Sequence, residues 1–310
     1  MIEARNLTKR YGKLLALDDL SLDIAAGEVF GFIGPNGAGK STTMKILACL
    51  MRADSGTATV DGHDVRTEGP TIRRLIGYMP DFLGAYEDLT VDEYLQFFAA
   101  AFGISRKQRK TVVDGVLELT DLTDKRRSPV DGLSRGMTQR LGVARVLIHD
   151  PKVLLLDEPA SGLDPRARIE MRTLLAELGR MGKSIMISSH ILTELAELCS
   201  TIGIIEKGKL LFSGTLEDAY RKAALGDRVR ISIEGGISAE AAAKALEGDG
   251  RITRIATSGS SLTVDLTPDV QSRHFLVAKL VAAGAQIGAM RPEEARLEDA
   301  FMRLTVGNVQ

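Results

Sequence analysis

Gly34-Pro35-Asn36-Gly37-Ala38-Gly39-Lys40-Ser41 fills every fixed position of the pattern G-x-x-x-x-G-K-S/T. Glycines in such a loop let backbone N–H groups turn inward and approach phosphate oxygens with no Cβ in the way. Lys40 supplies a point charge for the β- and γ-phosphates of a nucleotide, and the Ser41 hydroxyl is a ligand for Mg2+. The apolar run Val29–Ile33 leads into the loop with the length of a strand. After it, Thr42, Thr43, Met44, Lys45, Ile46 and Leu47 read as a helix whose N-terminal partial charge faces the same anion. Strand, loop and helix in that order are the context that gives the pattern its meaning. Far downstream a second apolar run, Val153–Leu156, ends in Asp157-Glu158. One carboxylate there can hold magnesium and the other can activate water.

Composition narrows the remaining choices. A chain of 310 residues is long enough for a large core and for two domains. Its formal net charge of -1 gives no bulk attraction to nucleic acid, so no nucleic-acid partner is expected. Cys49 and Cys199 have no metal-type neighbour at short spacing and read as reduced thiols of a cytosolic protein. The segment Met1–Arg10 lacks the apolar core of a signal peptide, and no run of eighteen apolar residues occurs. A membrane process would therefore be served from the cytosolic face, through a partner.

Residues 1–222 alternate strand-like and helix-like segments, which predicts an α/β core on a mostly parallel sheet. Strands are expected at Leu14–Leu22, Val29–Ile33, Thr57–Val60, Ile76–Met79, Val153–Leu156, Ser184–Ser188, Ile202–Glu206 and Lys209–Phe212. Helices are expected at Lys40–Leu50, Val91–Phe102, Arg106–Leu119, Ser134–Ile148, Arg166–Met181 and Ile191–Cys199. Turns at Gly27 and Asp61-Gly62 give the early strands an antiparallel character, hence a small β-subdomain beside the core. The texture changes near Leu225-Gly226-Asp227. From 227 to 310 the expected order is β-α-β-β-α-β, a small α+β unit of ferredoxin-like type with a terminal helix over Glu293–Leu304. It carries no catalytic constellation and reads as a regulatory, docking or dimerisation domain.

Three further segments fit the same nucleotide. Leu133-Ser134-Arg135-Gly136-Met137 puts a hydroxyl and a bare backbone at the head of a helix, an anion site. Pro159-Ala160-Ser161-Gly162-Leu163-Asp164 follows the carboxylates, and Ile187-Ser188-Ser189-His190 closes the next strand. In order and spacing across residues 1 to about 220, the chain resembles the ATP-binding subunit of an ABC transporter, a P-loop NTPase with an added antiparallel β-subdomain and a helical subdomain. On that resemblance Gly34, Pro35, Asn36, Gly37, Ala38, Gly39, Lys40, Ser41 and Thr42 form the Walker A loop. Leu133–Met137 is the signature motif, Val153–Glu158 Walker B, Ala160–Asp164 the D-loop and His190 the switch histidine. Tyr11 stands where an aromatic ring stacks on adenine.

The resemblance implies ATP and Mg2+ as ligands and a head-to-tail homodimer. Each ATP would lie between one copy's loop and the other copy's Ser134 and Gly136. Ser41, Asp157 and Asp81 are the implied magnesium residues. Glu158 is the implied general base, with Lys40 and His190 completing the catalytic set. Two departures stand out. The family usually has Gln where Asp81 stands, after Tyr78-Met79-Pro80, so this position adds a negative charge. Arg135 and Met137 replace the more usual Gly and Gln, whereas Ser134 and Gly136 remain.

One ATPase domain followed by a small α/β tail ending Leu297–Leu304 resembles ATPases that partner ABC-2 type permeases. That branch implies an ATPase powering export through a separate membrane subunit, bound at the cytoplasmic face of a bacterial membrane, with residues 82–89 meeting the permease. The alternative is a soluble nucleotide switch acting on a non-membrane partner. Such proteins usually carry two fused ATPase units or a long coiled-coil insertion, and this chain has neither. Other features read as ordinary structure. The basic runs Arg106–Lys110 and Lys125–Arg127 are solvated faces, and His63, His149 and His274 are isolated. The stripe Leu297, Ala300, Phe301 and Leu304 has the spacing of a helix packing into a core.

Overall fold

Alternation builds the first sheet. In β1 (Ile2–Tyr11), Ile2 and Ala4 are buried while Glu3 and Arg5 face solvent. The parity then switches: Asn6 has φ +52°, the register with β2 (Leu14–Ile24) shifts, and Leu7 becomes the next buried residue. The computed structural model describes residues 1–82, 84, 88–223, 228–267, 269–270, 272–293 and 297–305. With β4 (Ser55–Val60) and β5 (His63–Asp64), these strands form an antiparallel sheet in the order β2-β1-β4-β5. This is the expected β-subdomain, enlarged by β1 and β5.

The second sheet carries the site. It runs β10 (Lys209–Thr215), β9 (Thr201–Glu206), β3 (Val29–Ile33), β8 (Ser184–Ser189), β7 (Val153–Asp157), β6 (Ile76–Met79). Pairings from β9 through β3, β8 and β7 to β6 are all parallel. Every residue of β7 and β8 is buried, as expected of central strands covered on both faces. Helices α1 (Lys40–Leu47), α2 (Gly69–Leu75), α6 (Pro165–Arg180) and α7 (Leu192–Leu198) connect the strands. Of these, α2 and the first strand were not foreseen. One core joins Leu7, Leu17 and Leu20 of the antiparallel sheet to Phe30, Phe32, Met44 and Leu155.

Between β6 and β7 the chain makes a helical group: α3 (Val91–Ala101), α4 (Arg106–Leu119) and α5 (Arg135–Leu147). A capping box between Thr90 and Glu93 starts α3, and Ser134 caps α5. Tyr94, Leu95, Val113, Leu117 and Leu141 are among its fully buried apolar residues. One of the basic runs has a structural use, since Arg126 pairs with Asp92 at 2.8 Å and with Asp114. The span 82–89, expected to meet a membrane partner, lies partly outside the described residues; Phe82 is 84% exposed.

The chain divides into compact units at Gly214/Thr215. The division thus falls earlier than the composition shift near 225. The reason is packing: α8 (Leu216–Lys222) packs against α11 (Leu297–Leu304). The second unit continues β11 (Arg228–Gly235), α9 (Ala239–Leu246), β12 (Ile252–Ser258), β13 (Ser261–Leu266), α10 (His274–Ala282) and β14 (Gln286–Glu293). Its antiparallel sheet has the order β12-β13-β11-β14, the expected ferredoxin-like arrangement. Ala242 and Leu246 of α9 and Leu276 and Leu280 of α10 bury Val229, Ile231, Leu262 and Val264 on one face. Leu297 and Ala300 of α11 are buried, as the stripe implied. Among the described residues no helix is long and apolar enough to cross a membrane.

Leu155 is fully buried in the middle of β7. Leu155→Ala should lower unfolding stability by about 2–5 kcal/mol through lost burial and a residual cavity. Urea unfolding followed by circular dichroism measures this.

Candidate active site

The loop between β3 and α1 is shaped by what its glycines touch. A Cβ on Gly34 would collide with the carbonyl oxygen of Ile205 on β9. Gly39, at φ +114°, precedes α1; a Cβ there would come within 2.7 Å of both the Ala16 carbonyl oxygen and a Leu17 methyl. Any side chain at these two places would push the loop off the sheet. Lys40, the first residue of α1, is almost fully buried. Its Nζ donates to the carbonyls of Gly34 (2.6 Å) and Pro35 (3.3 Å) and lies 3.5 Å from Glu158 Oε1.

Strands β7 and β8 bring the second half of the site. Asp157 stands opposite Ser188 in the parallel register. The Ser188 hydroxyl donates to Asp157 Oδ1 at 2.6 Å and accepts from the Glu158 backbone N–H at 2.9 Å. Glu158 has φ +52°, left-handed backbone that a non-glycine residue adopts at a cost. That turn sends its carboxylate sideways, so Oε2 meets His190 Nδ1 at 2.7 Å while Oε1 faces Lys40. Oε1 is buried and accepts no hydrogen bond. His190 is half exposed.

A cleft of about 240 Å3 joins these parts, lined by residues 35–42 with Tyr11, Leu14, Ala16, Asp81, Asp157 and Glu158. Tyr11 is 45% exposed at its edge, its hydroxyl 2.9 Å from Met51 Sδ. An exposed ring above a phosphate loop has a free face for a flat base. Partial desolvation, then the charges of Asp157 and Glu158, push the Asp81 carboxyl above its ordinary range. Burial, with Asp157 and Asp81 nearby, pushes the Tyr78 phenol up to about 12, and its hydroxyl is buried without a partner. The cleft therefore holds clustered carboxylates facing one buried lysine. Such a site suits a ligand that brings its own cation.

Ser134 and Gly136 do not line this cleft. Ser134 accepts from the Met137 N–H at 3.4 Å as N-cap of α5, and a Cβ on Gly136 would lie 3.0 Å from that of Ala167 on α6. Asp164 caps α6, accepting from the N–H groups of Arg166 and Ala167. The tight α5–α6 contact fixes where the Ser134 helix end points.

A family model described as ABC transporter matches residues 17–161. Over 98% of both chains, the sequence is 31% identical to the linearmycin resistance ATP-binding protein LnrL of Bacillus subtilis (strain 168). It is 38% identical to the Nod factor export ATP-binding protein I of Burkholderia orbicola (strain AU 1054), covering all of this chain and 98% of that one. The chain belongs to the ATP-binding proteins of ABC transporters.

Solved cassettes agree. The structure of an ATP-binding subunit of an ABC transporter superposes with a TM-score of 0.65 at 31% identity, over 72% of this chain and 92% of that one. The dimeric structure of MJ0796, a bacterial ABC transporter cassette, gives a TM-score of 0.64 at 26% identity, over 70% of this chain and 99% of that one. The first unit is thus an ATP-binding cassette, and the protein is an ATPase of this family.

Two residues of this cassette's site carry no signal strong enough to assign them from sequence. Ser188 was visible only as part of a segment ending in His190, and its role depends on standing opposite Asp157. A hydroxyl directly after the apolar run Ile185-Met186-Ile187 was the available hint. Tyr78 was hidden by its place in an ordinary strand. Ser188→Ala would strip Asp157 Oδ1 of its hydroxyl donor and the Glu158 N–H of one of its two acceptors, at a cost of about 1–3 kcal/mol. We expect ATPase kcat to fall roughly tenfold with ATP affinity little changed, separable by steady-state kinetics and equilibrium nucleotide titration.

Proposed function

We propose that two copies of this chain clamp ATP between them and that its hydrolysis powers export through a separate membrane permease of the ABC-2 type. The observation that carries the reading is the split of the site. The cleft of a single chain holds Lys40, Asp157 and Glu158, whereas the anion-binding helix end at Ser134 and Gly136 lies outside it. A second copy, turned head to tail, would bring that helix end to the γ-phosphate. The names of LnrL and the Nod factor export proteins support an exporting role, and the likeness to them runs through both units. Their substrates are their own.

In this reading residues 34–42 wrap the phosphates with backbone N–H groups, Lys40 neutralises β- and γ-phosphate oxygens, and Tyr11 stacks on adenine. Ser41, Asp157 and Asp81 offer hard oxygen donors of the kind Mg2+ prefers. Among the described residues no group of three His, Cys, Asp or Glu could hold a metal alone. That fits an ion whose shell is completed by phosphate and water. When bound, Mg2+ supplies charge neutralisation on the triphosphate. Glu158 accepts the proton of the attacking water, and His190 orients the Glu158 carboxylate and reaches the γ-phosphate. The ATPase would sit at the cytoplasmic face of the membrane, held there by the permease, and the second unit would serve regulation, docking or dimerisation.

Glu158→Gln should retain ATP binding, lose nearly all turnover and accumulate an ATP-bound dimer on size exclusion. Lys40→Ala should bind ATP at least about tenfold more weakly, a loss of about 1.4 kcal/mol or more, and form no such dimer. Hydrolysis by Glu158→Gln at the parental rate would remove Glu158 as base. Copurification with a multi-helix membrane protein, and stimulation of ATPase activity by its cargo, tests the exporting role; copurification with RNA instead would favour the soluble switch.

A further inference from the structure

Arg135 opens α5 directly after the Ser134 cap, a position where a cation opposes the positive end of the helix dipole. Its side chain is exposed but turns back along the protein surface. Nε donates to the carbonyl oxygen of Ser161 at 3.0 Å, crossing from the Ser134–Gly136 segment to the loop that follows Glu158. The guanidinium then lies flat over Gly162, whose φ is +68°. A Cβ on Gly162 would stand 2.6 Å from each terminal nitrogen, inside the space the guanidinium fills. The charge of Arg135 also reaches Asp81, where it counters part of the push from Asp157 and Glu158. A bare residue in left-handed backbone beneath a planar cation forms a seat that admits glycine and excludes a side chain.

We propose that Arg135 is a positioning residue that braces the Ser134–Gly136 helix end against the Ser161–Gly162 loop of the same chain. The brace rests on the two-copy reading above, in which the Ser134–Gly136 helix end of one chain faces the nucleotide held by the other. Neither segment is fixed by sheet pairing. Ser134 caps α5 and Gly162 lies in an exposed turn, so a cross-link between them adds to the α5–α6 contact in setting the angle at which both approach the second copy. The Gly136–Ala167 contact bounds how closely the two segments pack, and Arg135 bounds how far they separate. Without the brace each would still bind, but not in one geometry.

The test is a double-mutant cycle on the full-length chain. Arg135→Gly should lower ATPase kcat roughly ten- to a hundredfold, the cost of misplacing a participating group, with KM for ATP changed by less than about twofold because the cleft itself is untouched. The melting temperature should not move. Arg135→Lys, which can still reach the Ser161 carbonyl with one donor, should recover part of the loss. Gly162→Ala should lower kcat in the parent, yet add nothing to kcat in the Arg135→Gly background, where its seat is vacant; the backbone strain of alanine is common to both backgrounds and cancels. Additive losses, or an Arg135→Gly protein with parental kcat, overturn the brace. The two-copy reading is judged separately, by whether ATP pairs Glu158→Gln copies. Paired copies together with an indifferent Arg135→Gly variant would sink the brace alone.

Discussion

Ser188 faces Asp157 because β7 and β8 pair in parallel with that register, and the register is set by two wholly buried apolar strands. One hydroxyl then serves two neighbours, donating to the Asp157 carboxylate and accepting from the Glu158 N–H. The Ser188 carbonyl accepts from the same N–H at 3.2 Å. These bonds hold Glu158 in left-handed backbone that costs on the order of 1–3 kcal/mol for a residue with a side chain. Released from them, the chain would continue as strand and the Glu158 carboxylate would leave Lys40 and His190. The core of the sheet thereby determines the direction of the side chain proposed as the base.

The same core explains what could be read without coordinates. Arg106–Leu119 has the helix limits expected of it because its apolar residues recur with helical spacing. The phosphate loop was legible because its chemistry tolerates few substitutions at fixed spacing. β1 was not legible, since the irregularity at Asn6 moves its buried residues from even to odd positions and destroys the alternation. α2 begins with Gly69-Pro70 and buries only Ile72, too little for a periodic signal. The left-handed turn at Glu158 and the Ser188 bridge belong to the pairing of residues thirty apart, and no local pattern encodes them.

Position 81 shows the cost of a substitution that pattern alone could only flag. Asp81 shares the cleft with Asp157 and Glu158, and partial burial, followed by the repulsion of those two charges, raises its proton affinity. Arg135 counters that repulsion from the signature side. A neutral side chain at position 81 would need no such compensation. In this chain the two departures from the commonest family pattern are therefore electrostatically linked: a carboxylate added on one side of the site, a guanidinium on the other.

Lys40 ties these charges to the order of events. Its ammonium is held by the Gly34 and Pro35 carbonyls and by Glu158 Oε1, all within 3.5 Å. A buried cation and carboxylate stabilise each other chiefly by offsetting the desolvation of both. In the proposed cycle the incoming phosphates compete for Lys40, and a doubly charged group with several oxygens outcompetes one carboxylate oxygen. Glu158 then loses its cationic neighbour while keeping its contact with His190, so binding of the phosphates would release the carboxylate from Lys40 without turning it out of place.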